Sequence, residues 1–436
     1  MHTSRGEMEA SSPRRRRKSL PAEAEESETR LESLPSEIHE RIVSLLPIRD
    51  AVRTSAVARA WRRIWESAPG LALDWGFEYG ADPAHADAVL ARYTRPVCSF
   101  FFCLPEASSQ RADDWVPLLA GKGVQILRLH FSRGRYVKPP HYMDVSIFSC
   151  RELTQLQLIH CDIPTAPVGL VGFPNLTKLY LHEVGFPDNG VRGLETLIAE
   201  SPLLQLLWLD KLWFFEGEDV EEEWVIRAPN LRDLSIIFEY DNGWQIEELP
   251  YIEKVDINSK SYTTHRDFVR LLTRLARVQK LNLYMPERES SALEGLSCSF
   301  ENLKSLSLNT DFCFLSTILS TLYLLKNAPN LEELSIEQIM YDNDQHEEVG
   351  LDLLSAQWTD GLLAKLKSVS MDMATCESNE MHFIEFVLSK ARRLEEFRIC
   401  AVEDCTRSNE ELVVEIIKYR RASPQAKVFF KRMVFV

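Results

Sequence analysis

At 436 residues, with 45% hydrophobic and 26% charged positions, the chain has the composition of a water-soluble protein but is too long for one ordinary compact core. No run nears the roughly 20 continuous apolar residues of a membrane span, and the N-terminus carries no apolar signal core, so neither a membrane partner nor secretion is expected. The net charge of −15 is concentrated beyond residue 75, where 37 Lys/Arg face 53 Asp/Glu; an acidic surface of this kind repels a phosphate backbone and argues against nucleic acid as a partner.

Residues 1–30 mix Ser, Pro, Glu and Arg with few large apolar side chains. They cannot bury enough surface to order themselves and are expected to be a disordered tail. Its basic run, Arg14 to Lys18, reads either as a nuclear localisation patch or as a solvated charge block. The nine cysteines are scattered, odd in number and without a CxxC pair. Reduced thiols in the nucleus and/or cytoplasm are therefore expected.

Residues 31–75 read as a small helical unit. Ile38, Ile42, Leu45 and Leu46 recur at helical spacing from Ser36, the expected N-cap, and Pro47 ends the run. Asp50 is placed to cap a second helix carrying Val52, Ala56 and Val57, and a third segment presents Trp61, Ile64 and Trp65. So small a core needs something to cover its remaining apolar face.

The residues carry a resemblance here. Leu34-Pro35-x-Glu37-Ile38, Ile42, Ser44-Leu45-Leu46-Pro47, Ala51-Val52-Arg53-Thr54-Ser55, Val57, Arg59 and Trp61-Arg62-x-Ile64-Trp65 resemble the F-box of plants. Ala58-Arg59-Ala60-Trp61 departs mildly from the usual Ser-Lys/Arg-Arg-Trp. The resemblance implies docking to a Skp-type adaptor and, through it, to a cullin. The positions it assigns to the adaptor are Leu34, Pro35, Ile38, Ile42, Leu45, Leu46, Pro47, Val52, Trp61 and Trp65. For the two tryptophans, packing inside the unit is an equal alternative.

Residues 76–123 contain Phe100-Phe101-Phe102, expected as a buried strand, and Trp115 to Ala120, expected as a short helix. They are read as a first, irregular repeat that caps an array. From residue 124 to 365 and beyond, apolar–x–apolar pairs recur at intervals of 21 to 35 residues. They are Leu127/Leu129, Leu156/Leu158, Leu179/Leu181, Leu207/Leu209, Leu234/Ile236, Val255/Ile257, Leu281/Leu283, Leu306/Leu308, Leu334/Ile336, Val369/Met371 and Phe397/Ile399. Leu153, Leu176, Leu231, Leu303, Leu331 and Leu394 precede pairs at a fixed distance, often within Pro-Asn-Leu. This is the leucine-rich-repeat signature. It predicts an α/β solenoid: a curved parallel β-sheet with helices and loops outside. Cys161 is expected to turn the chain off its strand.

Side chains alternate along a strand, so residues flanking each pair face outward. Most are polar, and ten steps of about 4.8 Å make a face of roughly 48 Å, suited to a protein target. Tyr180, Trp208 and Tyr284 are its aromatic candidates for target contact. His182, Asp210, Asn309, Glu333 and Glu337 are polar candidates beside them. For each aromatic the alternative is packing against a neighbouring repeat. Leu212-Trp213-Phe214-Phe215 followed by Glu216 to Glu223 reads as a loop with an apolar anchor and an acidic tip.

Residues 366–436 carry a second resemblance. Leu366-Lys367-Ser368-Val369, a helical stretch from His382 to Ala391, Leu394 to Ile399, a helix from Leu412 to Tyr419, and Arg421-Ala422-Ser423-Pro424-x-Ala426-x-Val428-x-Phe430 are similar to the FBD domain of plant F-box proteins. Physically this segment is expected to cap the solenoid.

No phosphate loop, GxSxG elbow or HExxH pair occurs. His160-Cys161 and Cys400-x4-Cys405 lack a zinc ligand set at workable spacing, and the acidic stretch 341–348 lacks the spacing of a calcium loop. No cofactor and no catalysis are expected. The favoured expectation is a substrate receptor of a Skp–cullin–F-box ubiquitin ligase. The alternative is a leucine-rich-repeat scaffold without a ligase connection.

Overall fold

The structure is a computed structural model. It describes residues 34–433 apart from 77–80, 134–138, 168, 170–171, 188–189, 215–222, 263–265, 286–292, 294, 340–360, 404 and 406. The basic run, the acidic tip after Phe215 and the acidic stretch at 341–348 lie outside the described residues.

The helical unit consists of α1 (Ser36–Ser44) and α2 (Ile48–Arg53). A tight 3-10 turn at Thr54–Ala56 replaces the expected continuation of the second helix to Val57, and turns at Arg59–Trp61 and Ile64–Glu66 stand where a third helix was expected. Neither expected cap is used. Pro35 and Pro47 sit at the cap positions, with no side-chain capping bond. The Pro35 carbonyl accepts from Ile38 N and His39 N, and the Pro47 carbonyl from Asp50 N and Ala51 N. Ser36 is therefore the first helical residue, and Asp50 lies inside α2, 3.2 Å from Arg53 Nη1.

Then come β1 (Leu73–Asp74), α3 (Pro83–Arg92), β2 (Ser99–Leu104), α4 (Arg111–Gly121), β3 (Ile126–Phe131), β4 (His141–Tyr142), β5 (Gln155–Asp162), β6 (Lys178–Phe186), α5 (Gly190–Ala199), β7 (Leu206–Asp210) and β8 (Trp213–Phe214). They are followed by β9 (Trp224–Ile226), β10 (Asp233–Tyr240), β11 (Trp244–Ile246), β12 (Lys254–Ser261), α6 (Phe268–Arg274), β13 (Lys280–Tyr284), β14 (Ser305–Thr310) and α7 (Leu315–Lys326). The last are β15 (Glu333–Gln338), β16 (Ser368–Ala374), α8 (Ser378–Lys390), β17 (Glu396–Ala401), α9 (Asn409–Lys418) and β18 (Lys427–Arg432).

One parallel sheet runs through the molecule in the order β1-β2-β3-β5-β6-β7-β10-β12-β13-β14-β15-β16-β17-β18, open at both ends. The first member of every apolar pair stands opposite the first member of the next. Leu127 faces Leu156, Leu156 faces Leu179, and the series continues through Leu207, Leu234, Val255, Leu281, Leu306, Leu334, Val369 and Phe397. The ladder extends beyond the pairs visible in the sequence, to Leu73 and Phe100 at one end and Val428 at the other. The sheet thus starts inside the segment read as the helical unit.

All the paired residues are buried, as are Leu153, Leu176, Leu231, Leu303, Leu331 and Leu394 before them. The Pro-Asn-Leu asparagines tie one repeat to the last. The Nδ2 of Asn230 donates to Pro202 O at 2.8 Å and that of Asn330 to Glu301 O at 2.7 Å. Repeat length varies, but the variation is absorbed by the connections and leaves the apolar pairs in register; the register shifts only beyond them, between Met371 and Ala374 of β16 against β17, among the described strands of this ladder.

The helical unit and the sheet share one apolar core. Val43, Ile48, Trp61 and Trp65 belong to the same buried cluster as Leu73, Trp75, Phe100 and Phe102. Polar bonds reinforce the joint: Tyr93 Oη donates to Ala68 O at 2.8 Å, and Thr94 N to Glu66 O at 2.8 Å. Residues 76–123, with α3 and α4, therefore supply the cover that the small unit lacks by itself. At the other end Ser423 Oγ donates to Leu394 O at 2.7 Å, which fixes the Ala-Ser-Pro turn beneath β18. Lys427, Lys431 and Arg432 make this edge strand poorly suited to pairing with another chain.

Leu308→Ala is expected to cost about 2–5 kcal/mol, because its pocket between β13 and β15 cannot close. Ser307→Ala, pointing the other way, should stay within about 0.5 kcal/mol. Thermal or urea unfolding of the two variants checks both.

Candidate functional site

The helical unit turns an unexpected face inward. The buried residues of α1 are His39 and Val43, with the His39 ring centroid 4.5 Å from that of Trp61. Ile38 is 45% exposed, Leu45 72% and Val57 75%. Pro35 and Pro47 are also exposed, while Leu34, Ile42, Leu46 and Val52 are half-buried. Trp61 and Trp65 are buried in the core, so they support this face from beneath. Several large apolar side chains left in water within so short a segment are candidates for an interaction surface.

On the sheet, the outward positions are laced sideways. Lys254 Nζ lies 3.2 Å from Asp233 Oδ2, Asn282 Nδ2 donates to Asp256 at 2.9 Å, and Asn309 Nδ2 donates to Glu337 at 2.7 Å. Tyr180 and Trp208, opposite one another in the register, pack edge-on with centroids 5.8 Å apart and both half-buried. Glu333 is exposed on the same face. Tyr284 does not belong to this surface. It is 9% exposed, and Tyr262 Oη, just past β12, donates to its carbonyl at 2.8 Å.

Two residues along the same strands, the face changes character. His182 Nδ1 lies 2.6 Å from Asp210 Oδ2, and Asp210 is buried. His182 Nε2 stands 4.0 Å from Glu183 Oε1, and His160 Nδ1 stands 2.7 Å from Glu183 Oε2. That last approach lacks hydrogen-bond alignment: both atoms are buried without an aligned partner, as is Asp210 Oδ1. Arg133 Nη1 lies 3.2 Å and Lys211 Nζ 3.8 Å from Glu183. Burial holds the His160 imidazole below its ordinary pKa, against the pull of Glu183. Burial likewise lowers neighbouring His130 to about 4.

The backbone explains this gathering. His160, Glu183 and Lys211 all have positive φ, at 59°, 49° and 51°. They occupy one repeat position, two residues after Leu158, Leu181 and Leu209. His160 and Glu183 fall inside β5 and β6, which continue past them, whereas Lys211 follows the end of β7. Cys161 consequently does not leave the strand as expected; it pairs with Val184, and both are fully buried. Just beyond, Gly185 lets Trp213 of β8 lie directly on β6, where a Cβ would collide with the indole.

Reading the sequence linearly missed this cluster, since His160 and Glu183 are separated by one whole repeat. Setting the repeats in columns would have placed them side by side.

The comparisons agree with the architecture. Residues 31–71 match the family model of the F-box domain, and residues 112–336, just over half of the chain, match that of the LRR repeats of FBD-associated F-box protein At5g56370. F-box/FBD/LRR-repeat protein At1g13570 of Arabidopsis thaliana is 27% identical, covering 93% of this chain and 99% of its own length. F-box/FBD/LRR-repeat protein At3g26920 of the same plant is 26% identical over 93% and 96%. The chain belongs to the plant F-box/FBD/LRR-repeat family. Among the described residues, no helix is long and apolar enough to cross a membrane.

Trp61→Ala should cost about 3–5 kcal/mol by hollowing the joint between the helical unit and the sheet. Leu45→Ala should stay within about 0.5 kcal/mol. Their thermal midpoints separate the supporting residue from the presented one.

Proposed function

We propose that this protein is the substrate-recognition subunit of a Skp–cullin–F-box ubiquitin ligase. The observation that carries the reading is the exposed apolar face of α1, α2 and the turn after them. Pro35, Ile38, Leu45, Pro47 and Val57 stand in water although the unit's own core is already complete beneath them. Burying such a face against a Skp-type adaptor removes apolar area from water at about 25 cal/mol per Å². The adaptor then connects the chain to a cullin.

The repeat face selects a target protein, with Tyr180 and Trp208 as its aromatic anchors and His182, Asn309, Glu333 and Glu337 as polar neighbours; Asp210, expected among them, is buried and holds His182 instead. The lateral bonding of this face favours the reading, since side chains already ordered lose less freedom when a partner binds. Ubiquitin transfer is performed by the assembled ligase. The chain contributes proximity and orientation and forms no covalent intermediate of its own. The nucleus and/or cytoplasm is the place of action.

Purified full-length chain, or chain co-expressed with a Skp-type adaptor, is expected to bind that adaptor stoichiometrically. Ile38→Glu/Leu45→Glu should weaken binding at least tenfold while the thermal midpoint is retained, and Leu34→Ala/Pro35→Ala should weaken it in the same direction. A folded parent that does not bind sinks the ligase reading and leaves a repeat-based scaffold.

A further inference from the structure

We propose that His160, His182 and Glu183 form the protein side of a divalent-metal site of the zinc type, with Asp210 orienting His182. The site stands independently of adaptor docking.

Two imidazole nitrogens and one carboxylate oxygen from β5 and β6 lie within 4.8 Å of one another. Ligand atoms bonded to zinc at 2.0–2.1 Å in a tetrahedron stand about 3.4 Å apart. The backbone is paired on either side of His160 and Glu183, at Ile159–His182 and Cys161–Val184, so the adjustment falls to side-chain torsion. Three protein ligands leave a further position for water or for a side chain of whatever binds there.

The surroundings carry the assignment further. A metal-bound histidine usually offers its other nitrogen to a carboxylate, which fixes the tautomer and the ring plane. His182 has this arrangement: its Nδ1 is engaged by buried Asp210 at 2.6 Å, and the remaining Nε2 is directed to the side of Glu183. His160 Nδ1 and Glu183 Oε2 are buried and close without the alignment of a hydrogen bond. A cation between them satisfies both lone pairs. Both ligand-bearing residues on the bend have left-handed backbone without being glycine, a conformation that persists where the surrounding structure imposes it and is frequent at ligand sites.

The competing occupants of Glu183 are Arg133 and Lys211. Their side chains are 70% and 50% exposed, so they can swing into solvent at little cost. Were the cluster only an ion-pair network, these two cations would complete it and no metal would bind. The two readings therefore predict opposite effects for removing Arg133. A bound ion would also lie two residues along the strands from the Tyr180–Trp208 pair, within the outward face.

Chelator-treated full-length chain should be titrated with ZnCl2 by calorimetry and with Co2+ by absorption spectroscopy. One ion per chain is expected, with Co2+ d–d bands free of a thiolate charge-transfer band. His182→Gln and Glu183→Gln should weaken binding at least 100-fold, and Asp210→Asn about 10–100-fold. Arg133→Gln should tighten it. Circular dichroism and the metal-free thermal midpoint establish that each variant is folded. Should one ligand variant fail to fold, Arg133→Gln and Asp210→Asn still decide. No stoichiometric binding by the folded parent, binding insensitive to these substitutions, or a spectrum dominated by thiolate overturns the site.

Discussion

Each repeat of this chain is too short to bury its own leucines, so every strand depends on the two beside it. The apolar pairs must stand opposite one another, because a one-residue slip in a parallel strand turns its buried side chains into water. That requirement holds the apolar pairs in register from Leu73 to Val428 although the repeats differ in length. The backbone N–H and C=O groups are satisfied along the same ladder, and the connections take up whatever residues are left over.

Two consequences bear on function. The outward positions of successive strands fall into columns, so lateral pairs such as His182 with Asp210 or Tyr180 with Trp208 arise from register rather than from sequence proximity. The helical unit is joined to the ladder through one core, so its exposed face and the outward face of the sheet belong to a single body. Partners held at the two surfaces would therefore keep a fixed relation to each other, as a protein that brings a target to a larger assembly requires.

The apolar pairs made the sheet legible, since strict alternation has only one physical solution over so many repeats. Pro47 reads as the end of the first helix, which it follows, but it also opens the second, and the capping role given to Ser36 and Asp50 went to the carbonyls of Pro35 and Pro47. Harder to read was the orientation of α1. With apolar residues on several sides of a nine-residue helix, periodicity does not say whether Ile38 or His39 enters the core. Tyr284 has the alternation of an outward residue, yet it is buried in the fold, where Tyr262 reaches its carbonyl. The histidine–carboxylate cluster escaped because the left-handed bends fall on His160 and Glu183, where no glycine announces them, and because its members are a whole repeat apart.

The measurement that bears most directly on the central claim, that the helical face takes the adaptor while the sheet stays a fixed frame, is amide hydrogen exchange of the full chain with and without a Skp-type adaptor. Slower exchange confined to residues 34–57, with β5, β6 and β7 unchanged, is the predicted result. Protection of those strands with residues 34–57 unaffected would contradict it.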